Sequence, residues 1–162
     1  MKKILCCLCW LLLPFFLQAQ SIPKWEPEDL EQYMKSKNGL VVVNFYASFC
    51  QPCNEELPGM LKTIRELKDS SVNFLVVSLD EPNMYPKKLG KFLRRKKIQA
   101  PIVWLQVNDV SSFCPKIDAR WSGSIPATLF LNNLTGYRKF IEDELTADAF
   151  IMELNRAINA LL

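Results

Sequence analysis

Two thiols with two residues between them, Cys50 and Cys53 in Phe49-Cys50-Gln51-Pro52-Cys53, are the side chains of this sequence best suited to chemistry. A C-x-x-C pair serves either metal binding or reversible disulfide formation. Structural zinc wants four ligands, commonly a second C-x-x-C or a histidine pair. The chain has no histidine, and past residue 9 its only further thiol is Cys114, so a metal site would be short of ligands. The missing histidine also excludes a Cys-His hydrolytic mechanism and a c-type haem attachment site. No metal is expected, and no cofactor beyond a redox-active Cys50–Cys53 disulfide.

Redox chemistry requires the pair to be presented at a particular place, and the flanking residues supply it. Leu40–Tyr46 is an apolar, β-branched run that reads as a strand buried on both faces. Ala47 and Ser48 turn the chain, and the segment after Cys50 carries Leu57, Met60, Leu61, Ile64 and Leu67 at helical spacing. Cys50 therefore falls at a helix N-terminus, where unpaired N–H groups and the dipole stabilise a thiolate. That lowers its pKa and makes it the attacking sulfur. Pro52 suits a helix start and stiffens the loop. Cys53, one turn inward, resolves a mixed disulfide by attacking Cys50. Pro58 lies inside this helix and is expected to kink it.

The rest of the chain reads as a frame for that unit. Residues 1–19 combine Lys2 and Lys3 with an apolar run interrupted by Pro14, the pattern of a signal peptide cleaved after Ala19; an uncleaved anchor is the alternative. Cleavage removes Cys6, Cys7 and Cys9 and takes the formal charge from +3 to +1, which gives no reason to expect nucleic acid as a partner. A domain over residues 24–162 then runs helix (from Pro27, ended by Asn38-Gly39), strand 40–46, helix, strand 72–79, helix 86–98 and strand 101–107. A helical turn near 114–120, a strand 124–131, a return strand 137–141 and a final helix capped by Thr146 complete it. The stripe of that last helix is Phe150, Ile151, Leu154, Ile158, Leu161 and Leu162. The expected fold is α/β: a central mixed sheet flanked by helices on both faces, in a single domain. Lys87, Lys88, Lys91, Arg94, Arg95, Lys96 and Lys97 on the 86–98 helix read as a solvated face, with anionic lipid or an acidic partner as the alternative. Cys114 reads as a buried, inert thiol, with a regulatory or intermolecular disulfide as the alternative.

The stretch Val41-Val42-Val43-Asn44-Phe45-Tyr46-Ala47-Ser48-Phe49-Cys50-Gln51-Pro52-Cys53-Asn54-Glu55-Glu56-Leu57-Pro58 resembles the active-site segment of the thioredoxin fold, and within it the TlpA/ResA-like family of exported thiol–disulfide oxidoreductases. Asn44, Phe45, Ala47, Cys50, Pro52, Cys53, Glu56 and Pro58 match the family pattern, while Tyr46 and Phe49 stand where it has tryptophans. Trp121-Ser122-Gly123-Ser124-Ile125-Pro126-Ala127-Thr128 resembles the loop bearing the family's cis-proline. The resemblance implies that Ile125–Pro126 is cis and that the Ile125 backbone pairs with an extended substrate segment. It also implies a functional role for Glu56 as proton acceptor for Cys53, assisted by water, because Asn44 occupies the position of the buried aspartate of cytosolic thioredoxins and cannot take a proton. The plain alternative for Glu56 is a surface helix residue, as Glu55 beside it is expected to be.

By this resemblance the chain is a reductase of disulfides in exported proteins, located in a bacterial periplasm or envelope, and membrane-anchored if residues 1–19 are retained. Its implied partners are a disulfide-bearing substrate, apocytochromes before haem attachment among them, and a membrane-embedded dithiol electron donor; the chain itself is expected to be a monomer. Two other readings stand beside it. A disulfide oxidase or isomerase would need a strongly stabilised thiolate, often from a histidine between the cysteines, where this chain has Gln51-Pro52. A redox-inactive binding module would have no use for both cysteines.

Overall fold

The computed structural model describes residues 21–67 and 71–160. The expected leader over residues 1–19 lies outside these, as do the turn residues Asp69 and Ser70 and the helix-stripe residues Leu161 and Leu162. The order is β1 (Lys24–Trp25), α1 (Pro27–Ser36), β2 (Leu40–Tyr46), α2 (Gln51–Leu67), β3 (Val72–Ser78), α3 (Lys87–Arg95), β4 (Ile102–Leu105), α4 (Val110–Ile117), β5 (Ala127–Asn132), β6 (Arg138–Ile141) and α5 (Ala147–Asn159).

The strands form one mixed sheet in the order β1-β4-β3-β2-β5-β6. β1, β4, β3 and β2 pair in parallel, and β5 and β6 return antiparallel. All seven residues of β2 are buried, which is why it reads as an apolar run interrupted only by Asn44. Strand periodicity then divides its side chains. Leu40, Val42 and Tyr46 join a core with Leu57 and Met60 of α2, Leu89 of α3 and Phe150 of α5. Val41, Val43 and Phe45 join a second core with Leu30 of α1 and with Phe113 and Ile117 of α4. The helices thus cover both faces, as expected.

Local chemistry sets the boundaries. Asp29 closes the start of α1 by accepting from the Glu26 N–H at 2.9 Å. Gly39 enters β2 at φ +88°, where an added Cβ would stand 2.7 Å from the Ser71 carbonyl oxygen, so both conformation and space demand glycine. Thr146 caps α5 through the Ala149 N–H at 3.2 Å.

The structure departs from expectation in several places. The two-residue β1 is too short to carry a periodic signal and forms only because its edge pairs with β4. The helix expected near 114–120 starts at Val110, because Asp109 caps it by accepting from Ser111 N–H at 2.9 Å, and Pro115 lies inside it. β5 begins at Ala127 rather than Ser124, since residues 124–126 are held in a loop, and β3, β4 and β6 are each shorter than their apolar runs. α3 ends at Arg95, with Lys97 at φ +56°. In α5, Ile151 is 40 % exposed while Glu153 is buried, accepting from Tyr137 Oη and paired with Arg156. The stripe thus rotates toward a charged residue whose partners lie on β6's approach and on its own helix.

Candidate active site

β2 delivers the chain to the site and α2 carries it away. Between them a tight turn is closed by Cys50 N–H donating to the Ala47 carbonyl at 3.1 Å. Cys50 and Cys53 are joined as a disulfide, S–S 2.00 Å and Cα–Cα 5.3 Å. Cys50 Sγ also accepts from the Cys53 N–H at 3.2 Å, one of the free donors of the first helical turn. Cys50 is 7 % exposed and Cys53 fully buried, so the outer sulfur is the accessible one. Gln51 and Pro52 lie exposed beside it.

Two residues that the sequence did not single out fix this turn. Asn54 donates from Nδ2 to the carbonyls of Cys50 at 2.7 Å and Ser48 at 3.1 Å, while its Oδ1 accepts from Tyr46 Oη at 2.8 Å. Asp80, just past β3, accepts from Ser48 N–H at 3.0 Å, from Ser48 Oγ at 2.5 Å and from Ser78 Oγ at 2.8 Å. Trp104 Nε1 in turn donates to the Asp80 carbonyl at 2.6 Å. The only local signal for Asp80 was a carboxylate directly after a buried apolar strand, and for Asn54 there was none.

A buried polar junction lies one helical turn past the disulfide. Asn44 Nδ2 donates to Glu56 Oε1 at 2.8 Å and to Thr128 Oγ1 at 3.1 Å. Glu56 Oε2 accepts from the Leu145 N–H at 2.8 Å, which ties α2 to the segment entering α5. At 5 % exposure Glu56 is no surface residue, and that alternative is set aside, whereas Glu55 is exposed as expected. Burial pushes the Glu56 carboxyl above its usual range; the Leu145 and Asn44 donors pull the other way, and Glu144 and Asp143 raise it further. Asn44 Oδ1 is buried and finds no donor.

The opposite wall is the loop before β5. The Ile125–Pro126 peptide is cis, with Pro126 buried and Ile125 half-buried. Glu142 gathers this loop by accepting from the N–H groups of Ser122 and Ser124, each at 3.0 Å, and Trp121 Nε1 donates to the Ser124 carbonyl at 2.9 Å. Phe49 projects into solvent at 72 % exposure, with a groove on either side. One groove, about 530 Å³, runs between Phe49 and Trp104, Val107, Phe113, Ser124 and Ile125. The other lies between Phe49 and Gln51 on one bank and Phe92, Arg95 and Lys96 of α3 on the other. Cys114 is 3 % exposed, is not disulfide-bonded, and is held above its usual pKa by burial and then by Glu142. Among the described residues no cluster of three histidine, cysteine, aspartate or glutamate side chains could hold a metal ion.

A parallel β-α-β unit with a cysteine pair at the start of its helix, followed by an antiparallel hairpin and a closing helix, makes this a thioredoxin-like domain. The chain belongs to the AhpC/TSA family, whose model matches residues 15–133. It is 29 % identical over 92 residues to the thiol-disulfide oxidoreductase ResA of Halalkalibacterium halodurans, covering 57 % of this chain and 47 % of that one. To ResA of Oceanobacillus iheyensis it is 26 % identical over 115 residues, 71 % of this chain and 55 % of that one. The chain thus spans about half the length of these curated relatives. A thioredoxin-related protein from Neisseria meningitidis serogroup B superposes with a TM-score of 0.61 at 26 % identity, over 75 % of this chain and 84 % of the other.

Proposed function

We propose that this protein is an exported thiol–disulfide oxidoreductase that reduces protein disulfides by cycling Cys50 and Cys53 between dithiol and disulfide. The observation that carries the reading is the closed Cys50–Cys53 pair at the start of α2, its outer sulfur reachable and its inner sulfur buried. In the reduced form the Cys50 thiolate attacks one sulfur of the substrate disulfide, and the other substrate sulfur leaves as a thiolate. Cys53, deprotonated, then attacks Cys50 Sγ and expels the second substrate sulfur, so two electrons pass to the substrate. Glu56 accepts the Cys53 proton through water; burial raises its pKa above the ordinary carboxylate value, which makes the ionised group a stronger proton acceptor. Phe49, Gln51 and Pro52 form the rim that meets the substrate, and the Ile125 backbone beside Pro126 receives its extended strand.

The leader-like residues 1–19 support export to a bacterial periplasm or envelope, anchored there if the segment is retained. In that oxidising setting a membrane dithiol donor must return the pair to its reduced state. Exported proteins with disulfides, apocytochromes before haem attachment among them, are the proposed clients, and the protein acts as a monomer. Equilibrating the pair with glutathione tests the direction of electron flow. A potential near about −270 mV supports the reductase; one near about −120 mV gives the oxidase reading instead.

A further inference from the structure

Residues 82–108 contain seven lysines and arginines and no aspartate or glutamate. Five of the cations, Lys87, Lys88, Lys91, Arg94 and Arg95, belong to α3, and at 3.6 residues per turn they fall within about 120° of its circumference. Leu89 and Leu93 occupy the opposite side and are buried. Lys96 and Lys97 extend the stripe past the helix end, and all seven side chains are exposed. Not one of them takes part in an ion pair among the described residues. On a chain whose formal charge is only +3, this is a local concentration of unneutralised charge.

Its placement relative to the disulfide matters more than its size. The C-terminal end of the stripe, Arg95 and Lys96, lines the groove whose other bank is Phe49 and Gln51, the residues on either side of Cys50. Arg95 stands 5.4 Å and Lys96 5.9 Å from the centre of the half-buried Phe92 ring, so both charged heads are held at the groove rather than trailing into solvent. Glu55, the carboxylate within the groove lining, already accepts from Gln51 Nε2 at 2.9 Å. A polypeptide attacked at Cys50 must cross either this bank or the one formed by Ile125. On this one it meets two aromatic rings and a row of cations.

We infer that the α3 stripe is a docking track for acidic polypeptide, selecting substrates that carry carboxylates a few residues from the disulfide to be exchanged. This rests on the disulfide-exchange reading above. An acidic segment is the occupant the surface fits, because seven cations that make no ion pair among the described residues, with Glu55 alone as a carboxylate in the groove lining, attract it, raise encounter rates and repel basic sequences. A membrane surface fits less well: of the large exposed apolar side chains among the described residues (Phe49, Val110, Leu134, Ile151 and Met152) none is on α3 and only Phe49 borders the groove, so the helix has no apolar face of its own to bury in a bilayer.

Three peptides with one common disulfide loop, flanked by glutamates, by serines or by lysines, test the inference on the reduced full-length protein. At about 20 mM salt the glutamate-flanked peptide is expected to react ~10-fold faster than the serine-flanked one, and the lysine-flanked peptide slower than both. At about 500 mM salt the three rates should converge to within ~2-fold. The double variant Arg95→Glu/Lys96→Glu should lose the glutamate-to-serine preference. Lys116→Glu/Lys139→Glu, which changes net charge equally on exposed residues elsewhere, should keep it. Equal rates for all three peptides, or equal loss of preference in both variants, would overturn the docking track while leaving disulfide exchange intact. Failure of every peptide to react would overturn exchange itself and this inference with it. Binding of the protein to phosphatidylglycerol vesicles, lost in the Arg95/Lys96 variant and unaccompanied by any peptide preference, would reassign the stripe to membrane and also overturn it.

Discussion

Asn44 Nδ2 and Glu56 Oε1 lie 2.8 Å apart, joining the middle of β2 to the second turn of α2 beneath the disulfide. The direction of this bond is fixed by chemistry, because only the amide has a proton to give when Glu56 is ionised. Asn44→Asp is the revealing substitution. It places a second carboxylate against Glu56, and two buried carboxylates at hydrogen-bond distance cannot both ionise. The shared proton is held at a raised pKa in the folded state, so the associated stability is complete below the unfolded carboxylate range and is lost as pH rises. Urea unfolding should find the variant about 3 kcal/mol less stable than the parent near pH 8, with part of the deficit recovered near pH 5. An equal deficit at both pH values would mean that charge repulsion is not its cause.

Glu56 itself carries a pH signature. Its carboxyl is raised above the ordinary value of 4.5, chiefly by burial. Its protonated form therefore favours the fold below that value, and this contribution disappears as pH climbs through the raised folded pKa. Glu56→Gln retains an acceptor for Asn44 but cannot take a proton. Near pH 7 the rate of disulfide reduction should fall at least ~10-fold, and the pH dependence between about pH 5 and 9 should flatten. Stopped-flow kinetics on wild type and variant provide the comparison; superimposable profiles would remove Glu56 from the proton route.

What the sequence reveals about this site divides by the range of the interactions that decide it. β2 has the bounds its apolar run implies, because burial on both faces makes every residue but Asn44 apolar and both ends sharp. The Thr146 cap is similarly local. Glu56 and Glu55 are neighbours of one residue type, yet one is buried and the other exposed. Helical spacing puts Glu56 at the edge of the Cys53, Leu57 and Met60 stripe and Glu55 opposite it, but the partners of Glu56, Asn44 12 residues away and the Leu145 N–H 89 residues away, are encoded by no periodicity. Asp80 escapes for the same reason: its ligand Ser48 is 32 residues distant. α4 starts at Val110, ahead of the helical turn expected near 114–120, because Asp109 caps a helix whose interior contains Pro115, and in a purely local reading the proline outweighs the cap.

Asp80 is expected to anchor the turn that presents Cys50. It is 3 % exposed and accepts from the Ser48 N–H, the Ser48 hydroxyl and the Ser78 hydroxyl. Asp80→Ala leaves all three donors buried and unmatched, at a cost of about 3 kcal/mol in urea unfolding. Asp80→Asn should cost less, since Oδ1 can still accept while the amide nitrogen opposes the remaining donors. The alanine variant should also slow exchange at Cys50, because the turn that orients its sulfur loses one of its two supports. A stability change below about 0.5 kcal/mol would show that Asn54 holds the turn alone.

Cys114 provides a test of the packing behind the apolar groove. Its thiol is raised by burial and by Glu142, so little thiolate forms near neutral pH, and at 3 % exposure what forms cannot be approached. Gly123 packs above it so closely that an added Cβ there would lie 3.7 Å from the sulfur and 3.1 Å from Val110. In the oxidised protein near pH 8, alkylation of the peptide containing Cys114 should be at least ~100-fold slower than in about 6 M guanidinium, as followed by mass spectrometry. Gly123→Ala adds strain at φ +95° as well as the close contact, and should raise the native labelling rate by loosening the loop. If Cys114 is instead labelled at the unfolded rate in the native protein, the groove wall opens in solution. Cys114 would then be a third thiol within reach of the exchange reaction rather than a spectator to it.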